Sequence, residues 1–325
     1  MGNRRIYMLI FLLIVSVILL ISSTYAWFSL NREVESTGVQ VRIGTAPTLD
    51  ISADAKTWRT SLTLLDILEA DYEVPRFNQL PIKFQPVSSG GFINNGKLDL
   101  FFGIVSQDMD TSSETFGYKR LRSTKEEDKD GELGRYLAFD LYFKSVGAKK
   151  LYLGKNSYVT YKDDVSYGVE NALRIAFIKM GTIDGGSVKD IQSLSTSDKS
   201  NVYIWEPNYD SHTDAAVLAA KELYNLDISN DDNIKIPYYG INNVIEKPVL
   251  IDSTDANYFN LVDNIVYTDI NYKDEKGENV LLFEVESGIT KVRVYAWVEG
   301  QDVDCENEAS GSSFEFNINF TNNAT

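Results

Sequence analysis

Apolar and polar residues alternate with a period of two at several places in this chain. Leu137, Phe139, Leu141 and Phe143 share one face of "RYLAFDLYFKS". Val292, Val294, Ala296 and Val298 do the same in "TKVRVYAWVEG". Phe314, Phe316, Ile318 and Phe320 alternate with Glu315, Asn317 and Asn319 in "SFEFNINF". Successive side chains of a strand point to opposite faces, so this period predicts half-buried antiparallel strands. The last of them is expected to pair within a core sheet. Val39, Val41 and Ile43, interleaved with Gln40 and Arg42, predict a first strand at 37–43. Shorter strands are predicted in "LPIKFQPV", "KLDLFFGIV", "KLYLG", "ALRIAFIKM", "NVYIW" and "VLLFEV", with turns rich in Gly, Asn, Asp and Ser. Tyr295 and Trp297 fall on the face opposite Val292 and Val294. Packing beneath an insertion would accommodate them there.

Helical patterns are few. "TSLTLLDILEADYEVP" offers Ser61 as an N-cap and Pro75 as a stop. "HTDAAVLAAKELYNL" opens on Thr213 or Asp214 as a cap and continues as an Ala/Leu run. The polar stretches 123–134 and 196–200 read as exposed loops. Many short strands with two embedded helices predict a mainly β fold. The expected architecture is an antiparallel β-sandwich, jelly-roll-like, over 37–325, with a large insertion at about 185–280 that carries short helices. A separate domain at 185–280 is the alternative.

The N-terminus has a different pattern. "MGNRR" is followed by sixteen uncharged residues, Ile6 to Ile21. A basic start, an apolar core and Thr24-Tyr25-Ala26 fit a cleaved export signal with Ala26 at the last position. Counted to Phe28, the same stretch reaches the roughly twenty residues that a membrane-spanning helix needs, with Tyr25 and Trp27 as interface aromatics. Signal peptide or anchor, residues 1–26 place the rest outside the cytoplasm, and 27–36 reads as a linker. A pilin-type leader does not fit, because a strand period follows it where pilins continue as a helix.

Composition narrows the function. The chain has 325 residues, 43% hydrophobic and 24% charged, which suits a folded protein with its own core. Its net charge is −16, and losing Arg4 and Arg5 with residues 1–26 would leave 29 basic against 47 acidic side chains. Such a surface repels phosphate backbones, so no nucleic-acid partner is expected. One cysteine, Cys305, excludes an intrachain disulfide, and it reads as a small buried residue. One histidine, His212, excludes a His-Glu-x-x-His zinc site; no Gly-x-Ser-x-Gly elbow and no phosphate-binding loop is present. No enzymatic activity is expected.

Two polar clusters carry candidate chemistry. Asp210, His212 and Asp214 alternate just before the predicted helix. A metal site would use those residue types; a turn followed by a helix cap explains them without a ligand. After the strand near 298, "EGQDVDCENE" gathers Glu299, Asp302, Asp304 and Glu306. Asp302, Asp304 and Glu306 are the candidate calcium ligands, being hard oxygen donors, although the glycine and spacing of an EF-hand are missing. A solvated turn is the plainer reading. No other cofactor is expected. Trp58, Trp205 and Trp297 are candidates for an aromatic sugar-binding platform.

The leader and first strand, "STYAWFSLNREVESTGVQV", resemble those of the camelysin and TasA-type exported proteins of Firmicutes. "LAFDLYFKSVGAKKLYL" and "VYAWVEGQD" are weaker echoes of surface proteins from the same lineages. The resemblance implies a jelly-roll domain at the surface of a Gram-positive-type bacterium, with a structural role in the extracellular biofilm matrix. It also implies fibres built by donor-strand complementation, with residues 35–43 as donor and Val39, Val41 and Ile43 as the inserted side chains. The implied partners are further copies of the chain or other cell-surface proteins, and the membrane if the N-terminal segment is retained. Metallopeptidase activity, also attributed to that family, finds no histidine motif here. The alternative is a membrane-tethered adhesin or carbohydrate-binding sandwich.

Overall fold

The computed structural model describes residues 33–43, 49–75, 78–229, 234–268, 278–306 and 309–324. The expected N-terminal helix, the cleavage position Ala26 and most of the 27–36 linker lie outside these residues.

The protein is mainly β, with a sandwich at its centre. One sheet runs in the order Val280–Val285, Lys149–Leu153, Ser313–Thr321, Val34–Ile43, Ser61–Thr63; Tyr158–Tyr161 also pairs with Ser313–Thr321, and Lys83–Phe84 with Val34–Ile43. The other runs Ile265–Tyr267, Val202–Glu206, Leu173–Ile183, Gly288–Val298, Leu137–Ser145, Leu49–Ser52. Their facing sides form one hydrophobic cluster. The alternating residues Leu137, Phe139, Leu141, Phe143, Val292, Val294, Ala296, Phe314, Phe316, Ile318 and Phe320 all belong to it. Phe320 of the first sheet makes edge-on ring contacts with Phe143 and Phe177 of the second, at centroid distances of 4.9 and 5.6 Å. Cys305 is buried in the same cluster.

The strands of the second sheet are not half-buried, as the alternation predicts. Both of their faces are covered. A third sheet, ordered Ile245–Leu250, Lys119–Glu126, Leu100–Gln107, Val87–Ser88, lies on the outer face. Val87 and Leu100 pack there against Ala138, Ala176, Ile204, Tyr295 and Trp297. The two aromatics opposite Val292 and Val294 are therefore interior, and Trp205 is interior as well. Neither Trp297 nor Trp205 can belong to an exposed sugar platform.

The segment 185–280 is only partly an insertion. Val202–Glu206 and Ile265–Tyr267 are strands of the second sheet, paired parallel to each other. Between them come the helix Asp214–Tyr224, the hairpin of Tyr239–Ile241 with Phe259–Leu261, and the Ile245–Leu250 strand of the third sheet. Apolar residues in both the sandwich and the added layer draw this segment across the sheet edge.

Two local predictions change in detail. The helix after Ser61 spans Leu64–Leu68, and its cap is Thr63, in a reciprocal box with Asp66. Ser61 itself lies in a strand beside residues 40–42. The polar stretch 123–134 begins inside the strand Lys119–Glu126, and Asp128 within it is buried against Arg293. A burial so far from its partner in sequence leaves no local hydropathy signal.

The first strand, Val34–Ile43, lies parallel to Ser313–Thr321. The pairing runs from Glu35 opposite Ser313 to Ile43 opposite Phe320, with a bulge between Ser36 and Gly38. Among the described residues, the short strands Ser61–Thr63 and Lys83–Phe84 pair on its other side. Val34 and Val41 are fully buried. In the described chain this strand completes the sheet of its own molecule.

Candidate functional site

The most unusual feature is a buried ionic centre at one end of the second sheet, on its outer face. Strand alternation puts it there. Leu173, Ile175 and Phe177 point into the sandwich core, so Arg174 points outward with Ala176 and Ile178. Trp205 points inward, so its neighbour Glu206 points outward; it lies one residue past the Ile175–Trp205 pair. Trp297 is opposite Arg174 in the register, and the chain then leaves the sheet through Glu299. The turn 299–306 carries the remaining acids across the top.

Arg174 is 0% exposed, and its Nη2 donates to Glu206 Oε1 at 2.8 Å and to Asp302 Oδ2. Its Nη1 donates to the carbonyls of Asn171 and Leu173, each at 3.1 Å. The guanidinium stands 5.3 Å from the centre of the Tyr238 ring. Asp302 Oδ1 accepts from the Asp304 amide at 2.8 Å. Asp304 bonds His212 Nδ1 through Oδ2 at 2.8 Å, and its Oδ1 accepts from the Thr213 amide at 3.0 Å. Thr213 then caps the helix Asp214–Tyr224 by accepting from the Ala216 amide. Glu299 accepts from the Trp297 indole at 2.9 Å and from the Gln301 and Ser89 amides. Among the described residues, Glu206 Oε2 and the Tyr238 hydroxyl have no hydrogen-bond partner.

The two polar clusters read from the sequence thus meet at one place. His212 is joined to Asp304, 92 residues away. The capping reading of 210–214 holds at Thr213, and the histidine has a further role that it did not include. The candidate calcium ligands Asp302, Asp304 and Glu306 have other engagements here. Asp302 is engaged by Arg174, and Asp304 by His212 and the Thr213 amide. Glu306 is buried, with its charge acting on Lys119. Among the described residues, no group of three His, Cys, Asp or Glu is placed to hold a metal ion.

Burial dominates the electrostatics. It pushes Glu299 up to about 7, against its hydrogen bonds and the Arg174 charge. It also raises Glu206; Arg174 opposes that shift and Asp302 adds to it. Burial raises Asp304, while the bond to His212 pulls it back. At His212 burial works downward, but Asp304 outweighs it, and the imidazole is raised above its ordinary value. His212 and Asp304 thus titrate as a coupled pair across the Nδ1–Oδ2 hydrogen bond.

Sequence reasoning did not find Arg174, Glu206 or Tyr238. The available signal was an arginine inside the apolar run of "ALRIAF", in a strand long enough to be covered on both faces. The assembly residues are placed by backbone pairing. Val39, Val41 and Ile43 stand opposite Phe316, Ile318 and Phe320, and Val41 is the one whose side chain is described, as buried.

The His212 side chain is 5% exposed. Surface clefts of about 480 and 220 Å³ are lined by other residues, around Asp163 and Tyr167 and around Asn94 and Lys125. The arrangement can hold charge and fasten chain segments together.

Among the described residues, no helix is long and apolar enough to cross a membrane. In comparisons with known proteins, no protein-family model matches the chain, and no curated protein or solved structure matches it.

Proposed function

We propose that this is an exported, non-enzymatic structural protein of the cell surface, with the strand Val34–Ile43 as its means of joining other copies in a biofilm-matrix fibre. The observation that carries the reading is how that strand is held. It is the first described element after the apolar N-terminal run. Its long register is with Ser313–Thr321 alone, while its other neighbours are paired over three and two residues. The same main-chain bonds, with Val41 in the same socket, can form between two molecules once the strand leaves its own sheet. The jelly-roll comparison, retention or cleavage of residues 1–26, and a Gram-positive-type surface location belong to this same reading.

The test uses the partners Gln40 and Asn317. Paired cysteines at these positions, with Cys305→Ser, should close a bond within one chain in monomers. In fibres the bond should link chains, giving a ladder on a denaturing gel. Material lacking residues 1–26 should form fibres visible by electron microscopy, and material lacking 1–44 should not. Fibres whose paired cysteines link only within chains would sink the idea.

A second reading, a membrane-tethered adhesin, is favoured by the tip of the hairpin formed by Leu100–Gln107 and Lys119–Glu126. Met109, Phe116 and Tyr118 are exposed there, at 72%, 49% and 59%. A glycan or surface-protein binding signal lost on Phe116→Ser/Tyr118→Ser would support it.

A further inference from the structure

Two buried ionic networks lie on the outer face of the second sheet, and they differ in charge balance. In one, Arg293 bonds Asp128 at 2.7 Å and Asp140 at 3.1 Å, with Lys291 at 3.6 Å from Asp140. The hydroxyls of Tyr136 and Tyr295 donate to Asp128, each at 3.0 Å. Two cations meet two carboxylates. In the other, Glu206, Glu299, Asp302 and Asp304 surround Arg174 and His212; the four acids and Arg174 are buried, and the His212 side chain is 5% exposed. Full ionisation there leaves excess negative charge in a water-poor interior, which is costly.

This unbalanced centre joins segments distant in the chain. Glu206 ends a strand of the second sheet, and His212 leads into the helix Asp214–Tyr224. Tyr238 leads into Tyr239–Ile241, whose Ile241 amide bonds Ser88 Oγ beside the Ser89–Glu299 contact. We propose that the centre is a proton-operated latch, in which protonated Glu206 and Glu299 let the 207–262 segment close onto the second sheet and their ionisation loosens it.

The charged and titratable groups around Glu206 are Arg174, Asp302, His212, Asp304 and the phenols of Tyr238 and Tyr267. Those around Glu299 are Arg174 and Tyr238. The arginine, a protonated histidine and, at Glu299, the hydrogen bonds from Ser88, Trp297 and Gln301 favour ionisation, and burial outweighs them. Both carboxyls therefore keep their protons to higher pH in the folded chain than in the unfolded one. Their contribution to stability is fully present below the ordinary Glu value of 4.5 and is lost as pH rises through about 7. His212, also raised, acts in the same direction.

The test is urea unfolding of the full chain at about pH 5.5 and about pH 8, comparing wild type, Glu206→Gln/Glu299→Gln and a surface control, Glu114→Gln/Glu132→Gln. The wild type should be more stable at the lower pH. A pKa displaced by one unit is worth tenfold, and a carboxyl that loses its proton near 7 in the folded chain can shift the folding equilibrium by up to about thirtyfold between these two pH values. The double variant should lose most of the difference, and the control, which removes as many charges from exposed positions, should keep it. A double variant with the wild-type pH difference overturns the proposal. So does ¹³C-carboxyl NMR of the wild type in which every glutamate titrates in its ordinary range, a measurement that needs no variant to fold.

Discussion

Arg174 shows what a single side chain does here. Its guanidinium donates to Glu206 and Asp302 in the interior and stands 5.3 Å from the centre of the Tyr238 ring. Arg174→Ala should cost about 3–5 kcal/mol, because it leaves buried acids without their donor and Asp302 without a counter-charge. Adding Glu206→Gln and Asp302→Asn to that variant should recover part of the loss, since amides have no charge to strand. Urea midpoints of the variants check both statements; equal midpoints for the single and triple variants would refute the charge argument. Little of this was legible in the sequence. Each acid of the 299–306 turn looked like an ordinary surface residue, because its partner lies far away: Asp302 is 128 residues from Arg174. Asp128, in a run of charges, had the same disguise until Arg293 was placed beside it. Only residues whose role is local were readable, such as Thr213 as a cap.

Among elements, the strands of the core were the legible part. Period-two alternation located Leu137–Ser145, Gly288–Val298 and Ser313–Thr321 because one face of each enters a hydrophobic cluster. The same pattern mispredicted their second faces, since Ala138 or Arg293 is polar or small for reasons set by the third sheet. The short strand Tyr239–Ile241 was invisible, being too brief to show a period. Its fit rests on a close approach: a Cβ on Gly240 would stand 1.9 Å from the Ser89 carbonyl oxygen. Backbone cannot yield as a side-chain tip can. Gly240→Ala should push this hairpin off the sheet, lower the thermal midpoint by several degrees, and raise amide exchange at 238–241 ahead of the sandwich strands. Uniform exchange throughout would mean that the hairpin is not a separately attached unit.

For the whole molecule, layering is the organising fact. The first and second sheets enclose one core, the second and third another, and the segment 207–262 finishes the outer side. The middle sheet is thus shielded on both faces, which is why it can hold two ionic networks that an ordinary two-layer sandwich would expose. On the proposed latch, stability across neutral pH depends on the unbalanced network, while the balanced one around Arg293 fastens the loop at Asp128.

The parallel register of Val34–Ile43 with Ser313–Thr321 also sets how the chain bears force. Both strands point the same way. A pull at residue 33 and a pull at residue 324 therefore drag them past each other along their length. Every bond between them is loaded at once, and none can open ahead of the others as in a peeling zipper. Single-molecule stretching between these two points should meet one high rupture peak at the start of extension. Attachment at residue 33 and in the 108–118 loop should rupture at a clearly lower force. A subunit tethered by its N-terminal side and strained by its surroundings would be gripped most firmly in the direction in which it is pulled.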